Sequence, residues 1–340
     1  MAAKFKVVSL GKLGNPSLAP EEKELAGVKG GVEVIAARPT SEDEMISVAK
    51  DVDAILGAGR FLTPRVMAAL PRLRIIATYS VGYDTLDIDA ATANQIIIVN
   101  NPAVEWCLEE VANHAVALLL ASAKKLVLLN NLVKQGRWSD TRQAMAPMAP
   151  VHGQTLGIVG CGNIGRSMAA KAKCFGLKVL GYDPYVDKAL VKKSGLTLMS
   201  SLPGLLKESD FVSVHAFLNE ETRHMIGENE FRQMKPTAYL INTARGPIVD
   251  EAALIKALQK KLIAGAGLDV FEKEPLAPDN PLLKMDNVVV LPHSASYSDA
   301  ALEMHPINPA QEVARVLKGQ WPNNVVNKGV EPKVNLVKGK

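Results

Sequence analysis

Cysteine is scarce in this chain: Cys107, Cys161 and Cys174 are the full complement in 340 residues. Their spacing fits neither a disulfide framework nor a zinc-binding set, which argues against a stapled secreted scaffold. Aromatic residues are also few, at 5%. The two lysine-rich stretches, residues 188–193 and the C-terminal tail, do not interleave with them. With 39 basic residues against 35 acidic ones, the net charge is only +4. A nucleic-acid surface is therefore not expected. Long hydrophobic runs are missing as well. The longest apolar stretch, around residues 116–120, falls short of the ~20 residues that cross a bilayer. The opening MAAKFKVVSL has neither the apolar segment nor the cleavage site of a signal peptide. These absences predict a cytoplasmic protein with no membrane partner.

Hydrophobic residues make up 48% and charged residues 22%, as in ordinary globular chains. The length suggests two domains and a substantial core. From residue 4 to 100, strand-like and helix-like segments alternate, with strands expected over 5–10, 32–36, 54–56, 74–78 and 96–99. Pro64 and Asp87 sit near two helix starts. This alternation predicts a parallel sheet covered on both faces. The turn 79–84 (YSVGYD) follows the fourth strand, where ligands of open α/β sheets sit. A glycine needed only for a bend explains it equally well. A long helix is predicted over residues 105–134, with Val111, Ala115, Leu118, Leu119 and Val127 at helical spacing. Its stripe suits a core or a subunit interface. Residues 139–153 read as a connecting loop.

Residues 155–183, TLGIVGCGNIGRSMAAKAKCFGLKVLGYD, carry the most specific signal. An apolar strand runs into Gly160, Gly162 and Gly165, a helical pattern follows, and a second strand ends at Asp183. In a βαβ unit the first glycine permits a tight turn and the second lets the backbone approach a pyrophosphate. The third lets helix and strand pack closely. The N–H groups at the helix start, near Asn163 and Ile164, would hold that pyrophosphate. Asp183, eighteen residues after Gly165, can accept both ribose hydroxyls and would repel a 2′-phosphate, so NAD is expected over NADP. Further strands are expected over 210–214, 238–241, 263–269 and 288–291, giving a block of six or seven.

Polar residues gather at the ends of those strands. Thr243, Ala244 and Arg245 follow one, Asp269 ends the next, Glu274 lies in the loop after it, and His293 follows the last. An arginine, a carboxylate and a histidine on one sheet edge suit hydride transfer to a 2-oxo acid. Histidine exchanges the proton at the substrate oxygen, and a carboxylate orients it and raises its pKa. Arginine grips carboxylate and carbonyl oxygens through its planar fork. Taken singly, each is more simply a surface or structural group.

Taken together, GCGNIG with Asp183, NTARG at 242–246, GLDVFEKEP at 267–275 and PHSAS at 292–296 resemble the D-isomer-specific 2-hydroxyacid dehydrogenase family. The likeness runs from the SVGYD turn to the WPNNVVN tail. It implies Arg245 as the substrate-binding arginine, Glu274 as the acid partner and His293 as proton donor or acceptor. It also implies that backbone N–H groups of Val81 and Gly82 hold the substrate carboxylate. Asp269 would contact the nicotinamide amide, with Thr243 and Ala244 lining that pocket. The implied fold is a pair of doubly wound α/β domains. A Rossmann cofactor domain, 102–297, is inserted into a flavodoxin-like substrate domain made of 1–101 and 298–340. The implied activity is NAD(H)-dependent interconversion of a small 2-oxo acid and its D-2-hydroxy acid, in a homodimer formed through the cofactor domain. DPYVDK, EEVANH and PHSASYSD also resemble a corepressor-like branch that senses NAD(H), which is the alternative reading. Phe217, Asn113 and Ser294 depart from the commonest family pattern near the cofactor. Arg60 matches an arginine of phosphoglycerate-specific members, whereas Thr78 stands where those members often carry a basic residue.

Overall fold

The computed structural model describes residues 4–11, 17–59, 61–101, 105–148 and 150–337. The chain forms two compact units, one of Met1–Trp106 with Ser298–Lys340 and one of Cys107–Tyr297.

In the first unit, the described residues form five parallel strands: β1 (Phe5–Ser9), β2 (Val32–Ala36), β3 (Ala54–Leu56), β4 (Ile75–Ala77) and β5 (Ile97–Val99). Their order is β2-β1-β3-β4-β5, the flavodoxin-like arrangement. Every residue of β3, β4 and β5 is buried. Helices cover both faces of such a sheet, which is why these strands read as unbroken apolar runs rather than alternating ones. The expected helix starts are present. Thr63 caps Pro64–Ala68, with proline in the first turn, and the Asp87 side chain accepts from Ala90 N ahead of Ile88–Ala93. Ala310, Val313, Ala314 and Leu317 of the helix Ile307–Leu317 pack with Val7, Ala54 and Ile75. The C-terminal helix therefore completes the first sheet's core. Beyond it, Asn327 accepts from Ile98 N at 2.8 Å and donates to Ile96 O at 2.9 Å, pinning the chain end along β5.

The second unit holds β6 (Thr155–Val159), β7 (Lys178–Tyr182), β8 (Thr197–Leu198), β9 (Phe211–Val214), β10 (Tyr239–Asn242), β11 (Gly265–Leu268) and β12 (Val288–Val290). All pair in parallel, in the order β12-β11-β10-β9-β6-β7-β8. This is the Rossmann order with one added strand, and its switch point falls between β6 and β9. Two clusters cover its faces, one around Phe231, Leu240 and Leu254 and one around Leu118, Ile158 and Met168. β8 has two residues and no apolar run of its own, so nothing in the pattern announces it.

The long helix predicted over 105–134 is interrupted. Glu105–Ala123 and Leu126–Lys134 are separate helices bent by 62°. Lys125 takes a left-handed conformation at φ 50°, and its Nζ donates to Ala144 O at 2.9 Å. That contact with a distant segment fixes the break, and no glycine or proline marks it. No single helix among the described residues is long and apolar enough to cross a membrane.

Candidate active site

The three glycines of the first loop are required for three different reasons. A Cβ on Gly160, whose φ is +92°, would lie 2.4 Å from Ala216 N, because the loops after β6 and β9 touch there. A Cβ on Gly165 would lie 2.2 Å from Gly160 O, where helix and loop cross. At Gly162, by contrast, nothing among the described residues lies within 4 Å of that position. Gly162 is the N-cap of the helix Asn163–Cys174, and no side chain caps that end. Gly162 and Asn163 are exposed, while Ile164 is half-buried against the core. An open cradle of backbone N–H groups at the positive end of a helix fits a pyrophosphate. Asp183 braces the loop, its Oδ2 accepting from Cys161 N and its Oδ1 from Tyr185 N, each at 2.9 Å. A carboxylate oxygen takes two hydrogen bonds, so both retain capacity for a ribose hydroxyl. Arg166, which the motif did not single out, donates to Cys161 O at 2.8 Å and Asn163 Oδ1 at 2.7 Å, adding positive charge beside the cradle.

The polar residues of the neighbouring strands β10, β11 and β12 converge at their carboxyl ends. After β10, Asn242 organises the turn: its Oδ1 accepts from Ala244 N at 3.0 Å and its Nδ2 donates to Arg245 O at 2.9 Å. The Arg245 guanidinium donates to Ala244 O at 2.7 Å. Thr243 is buried and its Oγ1 has no partner among the described residues. An orphaned hydroxyl of this kind costs stability unless a ligand or water meets it. A Cβ on Gly246 would stand 1.9 Å from the Phe271 carbonyl carbon. The arginine loop thus lies directly on the loop that carries Glu274.

Glu274 Oε1 accepts from Phe271 N at 3.0 Å, and Oε2 pairs with His293 Nδ1 at 2.7 Å. Burial works to raise the Glu274 pKa. The His293 and Phe271 hydrogen bonds and the charges of His293 and Arg245 outweigh it and hold the group below its ordinary value. His293 is raised, first by the Glu274 hydrogen bond, against the opposing effects of burial and Arg245. Its ring remains half-exposed at 46%, and its φ of 57° is left-handed, a strain that tends to persist at functional sites.

Asp269 is fully buried and receives Ser294 N at 2.9 Å and Ala295 N at 2.7 Å. Burial works to raise it, yet His114 and those two N–H groups keep its pKa below normal. It anchors the backbone immediately after His293, a task the motif did not suggest. The signal was available, since an acid ending a strand beside another strand end meets N–H groups there. His114 Nε2 lies 3.4 Å from Asp269 Oδ1, in ion-pair range but without hydrogen-bond alignment. Ser294, one of the departures from the family pattern, thus serves Asp269 through both its N–H and its Oγ. Phe217, another, is 45% exposed.

Val81 and Gly82 belong to the first unit, at the carboxyl end of β4. Their carbonyls are held from behind, Val81 O by Asn100 Nδ2 at 2.8 Å and Gly82 O by Ser80 Oγ at 2.7 Å. Arg60 lies outside the described residues. Thr78 is buried and donates to Ser80 O.

The family model for the D-isomer specific 2-hydroxyacid dehydrogenase NAD binding domain matches residues 116–295, more than half of the chain. The chain belongs to the D-isomer-specific 2-hydroxyacid dehydrogenase family. A glyoxylate reductase of Korarchaeum cryptofilum is 44% identical over 297 residues, covering 86% of this chain and 88% of that protein. A D-3-phosphoglycerate dehydrogenase of Methanocaldococcus jannaschii is 36% identical over 90% of this chain, which spans only 57% of that longer protein. Among solved structures, an NADPH-dependent glyoxylate/hydroxypyruvate reductase from Sinorhizobium meliloti in complex with citrate is 30% identical. It superposes with a TM-score of 0.81 over 96% of this chain and all of that one. As a 2-hydroxyacid dehydrogenase with an NAD-binding domain, the chain has its open glycine cradle and its His293–Glu274 pair within one unit.

Proposed function

We propose that this protein reduces a small, unphosphorylated 2-oxo acid to the D-2-hydroxy acid, and catalyses the reverse, with NAD(H) as cofactor. The single observation that carries the reading is the His293–Glu274 pair, 2.7 Å apart on the sheet edge that also bears Arg245. Gly160, Gly162, Asn163, Ile164 and Gly165 would hold the pyrophosphate, Asp183 the ribose, and Thr243, Ala244 and Asp269 the nicotinamide. Bound NADH supplies the hydride. In reduction, cationic His293 donates its Nε2 proton to the substrate carbonyl oxygen while Glu274 on Nδ1 holds the ring in place. Arg245 binds the carboxylate and polarises the carbonyl. In oxidation, neutral His293 takes the hydroxyl proton.

Glyoxylate and hydroxypyruvate are the first substrates to test, because similar proteins carry those names. Steady-state assays with NADH should show turnover of one or both, and no turnover across a panel reaching pyruvate and longer oxo acids overturns the reading. The same assays decide the cofactor. NADH should be preferred to NADPH, and Asp183→Asn should narrow that ratio by about tenfold or more, since it removes a like-charge repulsion while still accepting from Cys161 N. An unchanged ratio refutes the role of Asp183. The corepressor-like alternative is not favoured: the similar proteins described above are reductases and dehydrogenases, and an ion-paired histidine is superfluous to a scaffold.

A homodimer formed through the second unit is part of the same reading. Leu126, Val127, Val133, Trp138 and Met145 are exposed at 41–74% along one segment of that unit, more apolar surface than a solvated helix needs. Light scattering should give twice the mass of one chain, and a monomeric mass at micromolar concentration refutes it.

A further inference from the structure

A second histidine–carboxylate pair lies beside the first. His224 Nε2 is 2.7 Å from Glu272 Oε1, and Glu272 is two residues before Glu274. The turn that carries His224 also reaches the arginine loop, because His224 N donates to Pro247 O at 2.8 Å. Pro247 follows Arg245 by two residues. One residue therefore touches both loops, the arginine loop through its backbone and the Glu274 loop through its ring.

Neighbouring contacts show that this is a built clasp. Glu272 N donates to Glu251 Oε2 at 3.1 Å, and Glu251 N donates to Glu272 Oε1 at 3.2 Å, a reciprocal exchange between the loop and a helix N-terminus. Asn280 Nδ2 holds the other Glu251 oxygen at 2.7 Å. Ile226, two residues after His224, bridges to Val249 and donates to Ile248 O at 3.2 Å. His224 itself sits at φ 54°, a conformation that non-glycine residues adopt at a cost. Glycine would suit that backbone better, and asparagine is the commoner non-glycine choice there, yet neither could span to Glu272.

We infer that His224 is a positioning residue for the reaction: it ties the Arg245 loop to the Glu272–Glu274 loop and so sets the guanidinium against the His293–Glu274 pair. The inference rests on the oxidoreductase reading above. Hydride and proton transfer to one carbonyl need Arg245 and His293 in register, and a misplacement of about 1 Å costs on the order of a hundredfold in rate. The two loops leave adjacent strands and meet at Gly246 and Phe271. The Glu251–Glu272 exchange holds the far side of that approach, and the His224 strap adds a tie to both loops from the other chain segment.

The test uses the full-length enzyme with glyoxylate or hydroxypyruvate and NADH. His224→Gly keeps the left-handed backbone without strain and deletes only the side chain. It should lower kcat by about ten- to a hundredfold while leaving the KM for NADH and the cooperative melt near wild type. His224→Gln, whose amide N–H can reach toward Glu272 in place of the ring, should recover most of the loss. Glu272→Ala, which also removes the acceptor of Glu251 N, should lose at least as much as His224→Gly, and the double variant should lose no more than Glu272→Ala alone. If His224→Gly keeps wild-type kcat, or if the two losses multiply in the double variant, the inference is wrong. Should the wild type itself fail to reduce any oxo acid, the functional reading fails instead, which separates the two outcomes.

Discussion

Replacing His293 by alanine should reduce turnover of the oxo acid by about 10²- to 10⁴-fold, the range that a positioned proton donor contributes, while NADH binds as before. The separation follows from where the residue sits. His293 follows β12, and the glycine cradle follows β6, four strands away in the sheet. The measurement is kcat for glyoxylate or hydroxypyruvate beside an NADH titration by fluorescence. Parallel loss of both refutes the assignment. The pH profile adds a sign. Because Glu274 raises the His293 pKa, the ring stays protonated above the ~6.5 of a free imidazole. Reduction consumes that proton, so kcat/KM should hold at low pH and fall as pH rises through the raised value. Oxidation needs the neutral ring and should rise over the same interval. Glu274→Gln removes the largest cause of the shift and should move both limbs to lower pH. Stability follows the same linkage: the His293 contribution is complete below its unfolded pKa and disappears as pH rises through the folded one. The Glu274 contribution is present above its unfolded value and is lost as pH falls through the depressed one. With the pair half-exposed, that stability effect is small, and catalysis is the sharper readout.

How much of this could be read before any coordinates differs by kind of constraint. Backbone requirements are legible because only glycine satisfies them, and Gly160 and Gly165 stand where a Cβ would strike a neighbouring main chain. Apolar strands buried on both faces are legible for a similar reason, which is why most of the strands among the described residues coincide with apolar runs. Polar clusters are not. Arg245, Glu274 and His293 share no local pattern; their places after successive strands put them on one sheet edge, and the family likeness gives each its role. Asp269 is expected at the cofactor, and its hold on the Ser294 and Ala295 N–H groups is a second task that only the fold reveals. His224 offered no signal, since its partners Pro247 and Glu272 are 23 and 48 residues away along the chain. The helix break at Lys125 is of the same type, decided by a carbonyl at Ala144 that helical periodicity does not register.

Substituting Arg245 by lysine tests the other half of the chemistry, and the effect should fall mainly on substrate binding. The charge survives, so its Coulombic influence on Glu274 and His293 should persist. What is lost is the planar pair of N–H groups that can meet a carboxylate at two points. A hydrogen bond to a charged group is worth roughly 1.5–3 kcal/mol, so the KM for the oxo acid should rise about ten- to a hundredfold. The loop should survive the change, because Asn242 grips the backbone at Ala244 and Arg245 rather than the guanidinium. NADH affinity and the melting temperature are therefore expected to stay near wild type, and measuring them beside KM isolates the substrate contact. A rise in the KM for NADH of the same size would place Arg245 on the cofactor instead. An unchanged KM for the oxo acid would mean that the carboxylate is bound elsewhere, and Val81 and Gly82 would then be the residues to interrogate. Because the guanidinium also polarises the carbonyl in the proposed transition state, kcat should fall too, though less than in the His293 variant. Lysine can still place a positive charge near that oxygen, whereas alanine at 293 has no proton to give.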